Sequence, residues 1–149
     1  FAVAGFNMRS SELNAVLGIE QMKRINNNIE RRTENLHIWL NNLDPNKFIT
    51  GFKTQGSSNF ALPLVMQGFN RDKLKDVCNI LENEGVEYRL GTAGGGNQAR
   101  QPYLNKFDHR ISGVLAQANY IHDNALYIGN HTDLNKEQII NLCKKLNNV

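Results

Sequence analysis

Apolar residues in the first third of the chain return with helical spacing. From Ser10 or Ser11 to about Asn42, Leu13, Val16, Leu17, Met22, Ile25, Ile29, Leu36, Trp39 and Leu40 recur near a 3.6-residue period, with Leu43 following and a serine placed to cap the start. A single helix of that span is about 50 Å long at 1.5 Å per residue, more than one small domain can cover. Part of its apolar stripe is therefore expected to pack on material outside this chain or on a second subunit. Gly18 lies inside it at a cost of about 1 kcal/mol against Ala, which suggests a close backbone contact there.

Asp44-Pro45 ends the helix, and the pattern changes. Residues 48–50 form a short strand candidate and 59–66 (NFALPLVM) a longer one, which Pro63 confines to an edge or a bulge. Asn70 is placed to cap a second helix with Leu74, Val77, Cys78 and Leu81 on one face and Gly85 just past its end. A strand over 86–90 leads straight into a glycine-rich loop. A third helix is expected over about 113–123, with Leu115 and Ala116, then Ala118 and Asn119, at facing positions, and a last strand over 126–128. Asn135 and Gln138 form a capping-box pair opening the closing helix, with Ile139, Ile140, Cys143 and Leu146 turned inward. This order predicts an α+β domain: a long helix over 10–43, then a compact part over 44–149 whose small, mostly antiparallel sheet carries helices on one face.

Composition agrees with one soluble domain. The chain has 149 residues, 40% hydrophobic and 21% charged, with no apolar run near the roughly 18 residues that span a bilayer. Net charge is +3 and the pI about 9.0, but the basic residues are scattered among acidic ones, which argues against a nucleic-acid partner. Cys78 and Cys143 fall on apolar helical positions with no CxxC partner, so reduced core thiols and a cytoplasmic location are expected. No histidine cluster has metal-ligand spacing, and no carboxylate pair or Ser/His/Asp set stands out. The opening FAVAGFNMRS has neither an initiating Met nor a charged leader, from which we expect a piece of a longer protein.

The unusual chemistry is concentrated in GTAGGGNQARQPY, residues 91–103. Gly91 and Gly94 to Gly96 let backbone N–H groups approach a ligand, and Pro102 stiffens the exit. Asn97, Gln98 and Gln101 bring amides, Arg100 a planar guanidinium and Tyr103 an aromatic hydroxyl. Arg89 ends the preceding strand. One concave end could thus collect two guanidiniums and an amide, which suits a diphosphate or a polyhydroxylated ligand; locally paired surface charge on a mobile loop is the other reading, and spacing alone does not separate them. His131, after Gly129-Asn130 at a strand end, is a further candidate.

Gly5-Phe6-Asn7-x-Arg9-x-x-Glu12-Leu13, Gly18-Ile19-Glu20-Gln21-Met22-Lys23, Arg31-Arg32-x-x-Asn35 and Glu84-Gly85-Val86-Glu87-Tyr88-Arg89 resemble the C-terminal domain of the DegT/DnrJ/EryC1/StrS family of sugar aminotransferases and dehydratases. Gly96-Asn97-x-x-Arg100-Gln101-Pro102-Tyr103 and Gly129-Asn130-His131 are more similar to the family's sugar 3-dehydratases than to its aminotransferases. The resemblance implies the small domain of the aspartate aminotransferase fold (fold type I), with pyridoxal or pyridoxamine 5'-phosphate as cofactor and a nucleotide-linked 4-keto-6-deoxy sugar as substrate, in deoxysugar (lipopolysaccharide O-antigen) biosynthesis. It implies a homodimer with shared sites, in which Asn7 reaches the cofactor phosphate of the neighbouring subunit with Arg9 close by. Arg89, Asn97, Arg100, Gln101, Tyr103 and His131 would lie on the sugar-nucleotide side. The catalytic Lys or His would belong to a large N-terminal domain, so this chain alone is expected to be catalytically silent. A nucleotide-sugar aminotransferase, and a non-catalytic binding or regulatory module, are the alternatives.

Overall fold

The computed structural model describes residues 10–68, 71–93 and 96–149. Asn7, Arg9, the helix cap expected at Asn70, and Gly94 and Gly95 lie outside the described residues.

Two helices, rather than the single one expected, lead the described chain: α1 (Glu12–Met22) and α2 (Ile25–Asn42). They part at Lys23 and Arg24. There Arg24 sits at φ −109°, ψ −2°, its N–H reaches back only to Gln21 O (3.0 Å), and Asn28 N–H then resumes on Arg24 O (3.0 Å). Asn26, Asn27 and Asn28, poor helix formers, follow at once, and α1 buries no side chain that would hold the two axes in line. The apolar period runs across the break because periodicity records which positions favour burial, not whether the backbone is continuous.

Three antiparallel strands follow: β1 (Ala61–Val65), β2 (Tyr88–Leu90) and β3 (Ala125–Gly129), in the order β1-β3-β2. Pro63 thus lies on an edge strand, where its missing N–H leaves no ladder bond unmade. The strand expected over 48–50 is reduced to one bridge between Phe48 and Met66, since Phe52 N–H folds back onto Thr50 O (3.0 Å) and turns the chain away.

Register sets the two faces of the sheet. Leu62, Ile128 and Tyr88 form one row and Leu64, Leu126 and Leu90 the next, and both face the helices. Against them pack Leu36, Trp39 and Leu40 of α2, Val77 and Leu81 of α3 (Arg71–Asn83), and Ile139, Cys143 and Leu146 of α5 (Lys136–Leu146). Trp39 is fully buried, and its indole N–H donates to Pro63 O (2.7 Å), so the largest core side chain satisfies its one polar atom on the proline strand. Both bonds of the Asn135–Gln138 capping box are present, at 2.8 and 2.9 Å. Gly85 ends α3 with φ 66°, while Ile140, expected inward, is only half-buried.

On the opposite face Pro63, Tyr127 and Arg89 share a row. Phe60 packs edge-on against Tyr127 there, with ring centroids 6.1 Å apart. The helix after the glycine-rich loop, α4 (Ala116–Asn124), starts later than expected because Gly113, at φ 76°, is part of the turn that leads in; it then passes directly into β3. Cys78 and Cys143 are both free thiols. No helix among the described residues is long and apolar enough to cross a membrane.

Candidate functional site

β2 runs directly into residues 91–103, and the described part of this segment lies against α4. A Cβ on Gly91 would stand 2.5 Å from Ile121 O and 3.0 Å from His122 O. One on Gly96 would collide with Gly91 O and the His122 ring. Both positions take glycine because backbone lies directly on backbone.

Three side chains of α4 then hold one loop group each. Asn119 Oδ1 accepts from Asn97 Nδ2 (2.8 Å), His122 Nδ1 accepts from Asn97 N–H (3.2 Å), and Asp123 Oδ2 accepts from Arg100 (2.7 Å). Their positions i, i+3 and i+4 place them on one helical face. The loop also closes on itself. Asn97 Oδ1 takes Ala99 N–H (2.9 Å), Gln101 donates to Thr92 O (3.1 Å), and Tyr103 donates to Gln98 Oε1 (3.0 Å). The hydrogen bond from Arg100 holds the Asp123 carboxyl below the usual carboxylate range. The described residues of a stretch with the composition of a mobile surface loop are thus folded, with short 3-10 turns over Gln98–Arg100 and Pro102–Lys106.

The candidate residues do not converge on one concave end. Asn97 is buried (5% exposed) with its amide committed to the loop and α4, whereas Gln101 and Tyr103 lie nearer the surface. Arg89 points from the open sheet face, with Glu87 at 3.8 Å. His131 lies past the far end of β3, exposed, with Nδ1 accepting from Asp133 N–H (3.2 Å). The length of β3 separates it from the loop. What the Gly129-Asn130-His131 motif builds into the fold is Asn130. This residue is 2% exposed and donates to Arg32 O (3.0 Å) and Asn59 O (2.9 Å), while its Oδ1 accepts from Asn35 Nδ2 (3.0 Å). The sequence signal for it was an amide directly after an apolar strand, and for the α4 trio the helical spacing of Asn119, His122 and Asp123.

A cleft of about 600 Å³ opens beside the loop between α3, β2 and α4, lined in part by Arg71, Lys75, Cys78, Tyr88 and His122. Hydrogen bonding to Glu82 raises the Tyr88 hydroxyl, and burial raises the Cys78 thiol, so both stay protonated at neutral pH.

The model of the DegT/DnrJ/EryC1/StrS aminotransferase family matches residues 2–147. The chain belongs to this family. It is similar to GDP-4-keto-6-deoxy-D-mannose 3-dehydratase of Yersinia pseudotuberculosis, 29% identical over 143 residues, covering 95% of this chain and 36% of that protein. In structure it is similar to Escherichia coli GDP-4-keto-6-deoxy-D-mannose-3-dehydratase with bound hydrated PLP, with TM-score 0.83, 26% identity, and coverage of 98% of this chain and 38% of that one. The likeness to Helicobacter pylori PseC, an aminotransferase involved in the biosynthesis of pseudoaminic acid, shows the shared fold, with TM-score 0.72, 21% identity, and coverage of 97% and 38%. The chain spans about a third of the length of the curated relatives it matches. The observed α+β architecture, expected from the sequence, is one these DegT/DnrJ/EryC1/StrS relatives of fold type I share.

Proposed function

We propose that the chain is the small C-terminal domain of a 4-keto-6-deoxy sugar nucleotide 3-dehydratase that uses pyridoxal or pyridoxamine 5'-phosphate. The supporting observation is its similarity along 95% of its length, at 29% identity, to a protein named for that activity, which a solved dehydratase structure at 26% identity and TM-score 0.83 supports. In this reading residues 10–43 connect to a large N-terminal domain and 44–149 supply the substrate side. Arg89 on the open sheet face and Arg100 and Gln101 on the loop have donors near solvent, and the Tyr103 hydroxyl an acceptor, that suit the diphosphate and hydroxyls of a sugar nucleotide. Asn97 keeps the loop's shape, and His131 marks the opposite rim of the sheet. Asn7 and Arg9 are assigned to the cofactor phosphate.

Neither residues 91–103 nor the open row of Pro63, Tyr127 and Arg89 contains a lysine, so these surfaces offer no amine to hold pyridoxal covalently. The cofactor, when bound, is the electron sink for loss of the C3 hydroxyl, and the chemistry assigned to this chain is to bind and orient the sugar nucleotide. The uncovered face of α1 is assigned to a homodimer with shared sites in the cytoplasm, where such a soluble substrate is made.

The test is the full-length protein incubated with a GDP-linked 4-keto-6-deoxy sugar, glutamate and the cofactor. A 3-deoxy product is expected; an amino sugar as sole product would sink the dehydratase in favour of the aminotransferase. Arg100→Ala is expected to weaken substrate binding by roughly 1.5–3 kcal/mol if the guanidinium holds a charged group. The chain alone is expected to show neither activity nor tight pyridoxamine phosphate binding in a spectroscopic titration.

A further inference from the structure

We propose that His122 is a positioning residue whose neutral ring latches residues 96–101 onto α4, and that protonation of the ring releases them. The inference deepens the reading above, because this is the loop assigned to the sugar nucleotide.

The geometry fixes which nitrogen carries the proton. His122 Nδ1 accepts from Asn97 N–H at 3.2 Å, so in the latched state the ring proton sits on Nε2. An imidazolium carries N–H at both nitrogens and can accept nothing. Asn97 is 5% exposed, so when the acceptor is lost its N–H is stranded rather than hydrated. The ring also lies under Gly96, where even a methyl group would collide with it, so in the latched state loop backbone and ring are in direct contact with no room for a water between them. The loop's other ties to α4, Asn119 with Asn97 and Asp123 with Arg100, are at or near the surface. The bond to His122 is the one that is both buried and titratable.

The surroundings do not decide the matter by charge alone. Facing His122 across the cleft, α3 brings Arg71, Lys75, Asp72 and Glu82 together with the Cys78 thiol, and β2 brings the Tyr88 hydroxyl. Asp123 neighbours it on α4, and the loop brings Arg100, already hydrogen-bonded to Asp123. Three cationic groups stand against three carboxylates, so the loss of an acceptor, rather than net repulsion, is what opens the loop.

The experiment follows amide hydrogen exchange of residues 96–101 in the full-length protein, corrected for intrinsic rates, between about pH 8 and about pH 5, the range in which imidazole changes charge. Wild-type protein is expected to lose protection on acidification. His122→Ala is expected to lose it at both ends of the range, by roughly five- to 150-fold, as for a stranded buried donor. His122→Asn, whose side-chain oxygen is an acceptor that does not titrate, is expected to keep protection at both. Unchanged protection in His122→Ala, or an acid loss in His122→Asn equal to that of wild type, would overturn the latch. KM for the sugar nucleotide is measured on the same samples and is expected to rise wherever protection is lost, with kcat less affected. Protection that follows the expected pattern while KM stays flat would uphold the latch and overturn the substrate assignment of Arg100 and Gln101.

Discussion

Helices α1 and α5 are each 11 residues long and carry similar apolar content, yet the fold treats them in opposite ways. In α5, Ile139, Cys143 and Leu146 are buried against the sheet and its neighbouring helices, and a complete capping box closes the first turn. In α1 no residue is buried: Leu13 is 75% exposed and Leu17 66%, and Ser11, though extended as an N-cap should be, makes no side-chain capping bond. Apolar residues in a helix therefore state a demand for burial without naming what meets it, and those of α5 gather on one face while those of α1 are spread around it. For α5 the demand is met within the chain; for α1 the described residues do not meet it.

The largest test of this contrast is Leu146→Ala, which removes a fully buried side chain of α5 and is expected to lower stability by about 2–5 kcal/mol in urea unfolding. Alkaline pH should act on the same helix. Burial pushes the Cys143 thiol up to about 12 from 9.0, so above pH 9 the folded state keeps a proton that the unfolded state releases. Stability from this group is present in full below 9.0 and is lost as pH rises towards 12, and Cys143→Ala should flatten that decline in denaturation curves taken across the interval. Asn130→Ala strands the backbone carbonyls of Arg32 and Asn59 and removes one of the two bonds of Asn35 Nδ2, with an expected loss of about 1–3 kcal/mol by thermal or chemical denaturation. Asn135→Ala removes the α5 cap at about 0.5–2 kcal/mol, readable in the same way. Smallest of all, Leu17→Glu on α1 is expected to shift the stability of this chain by no more than about 0.5 kcal/mol. A loss comparable to that of Leu146→Ala would mean α1 is covered from within the chain. In the full-length protein the same substitution should weaken the proposed dimer, measured by light scattering.

Much of the compact part was legible because local signals agreed with the tertiary outcome. Pro63 marked an edge strand, Gly85 a helix end, and Asn135 with Gln138 a helix start, since each residue's backbone chemistry allows few alternatives. The site was less legible. Arg89, Arg100 and His131 looked like a set by residue type, but the antiparallel register puts His131 beyond the far end of β3 from the loop, and no spacing rule carries that information. His122 and Asn130 escaped notice because a buried polar residue differs from an exposed one only in its partners. Those partners lie 25 residues away for His122 and 71 to 98 for Asn130.

The sequence by itself determined the order and type of most elements after residue 58, the family, and the apolar period of the first 43 residues. These follow from short-range chemistry: period, caps, turns and motif composition. Only the tertiary structure decided that the helix breaks at Lys23–Arg24, that a glycine-rich stretch is folded onto α4 rather than loose, and that one motif's buried member, Asn130, holds the fold while its neighbour His131 stays at the surface. Burial and hydrogen-bond partnership are properties of pairs, and the pairing is made only when distant segments meet.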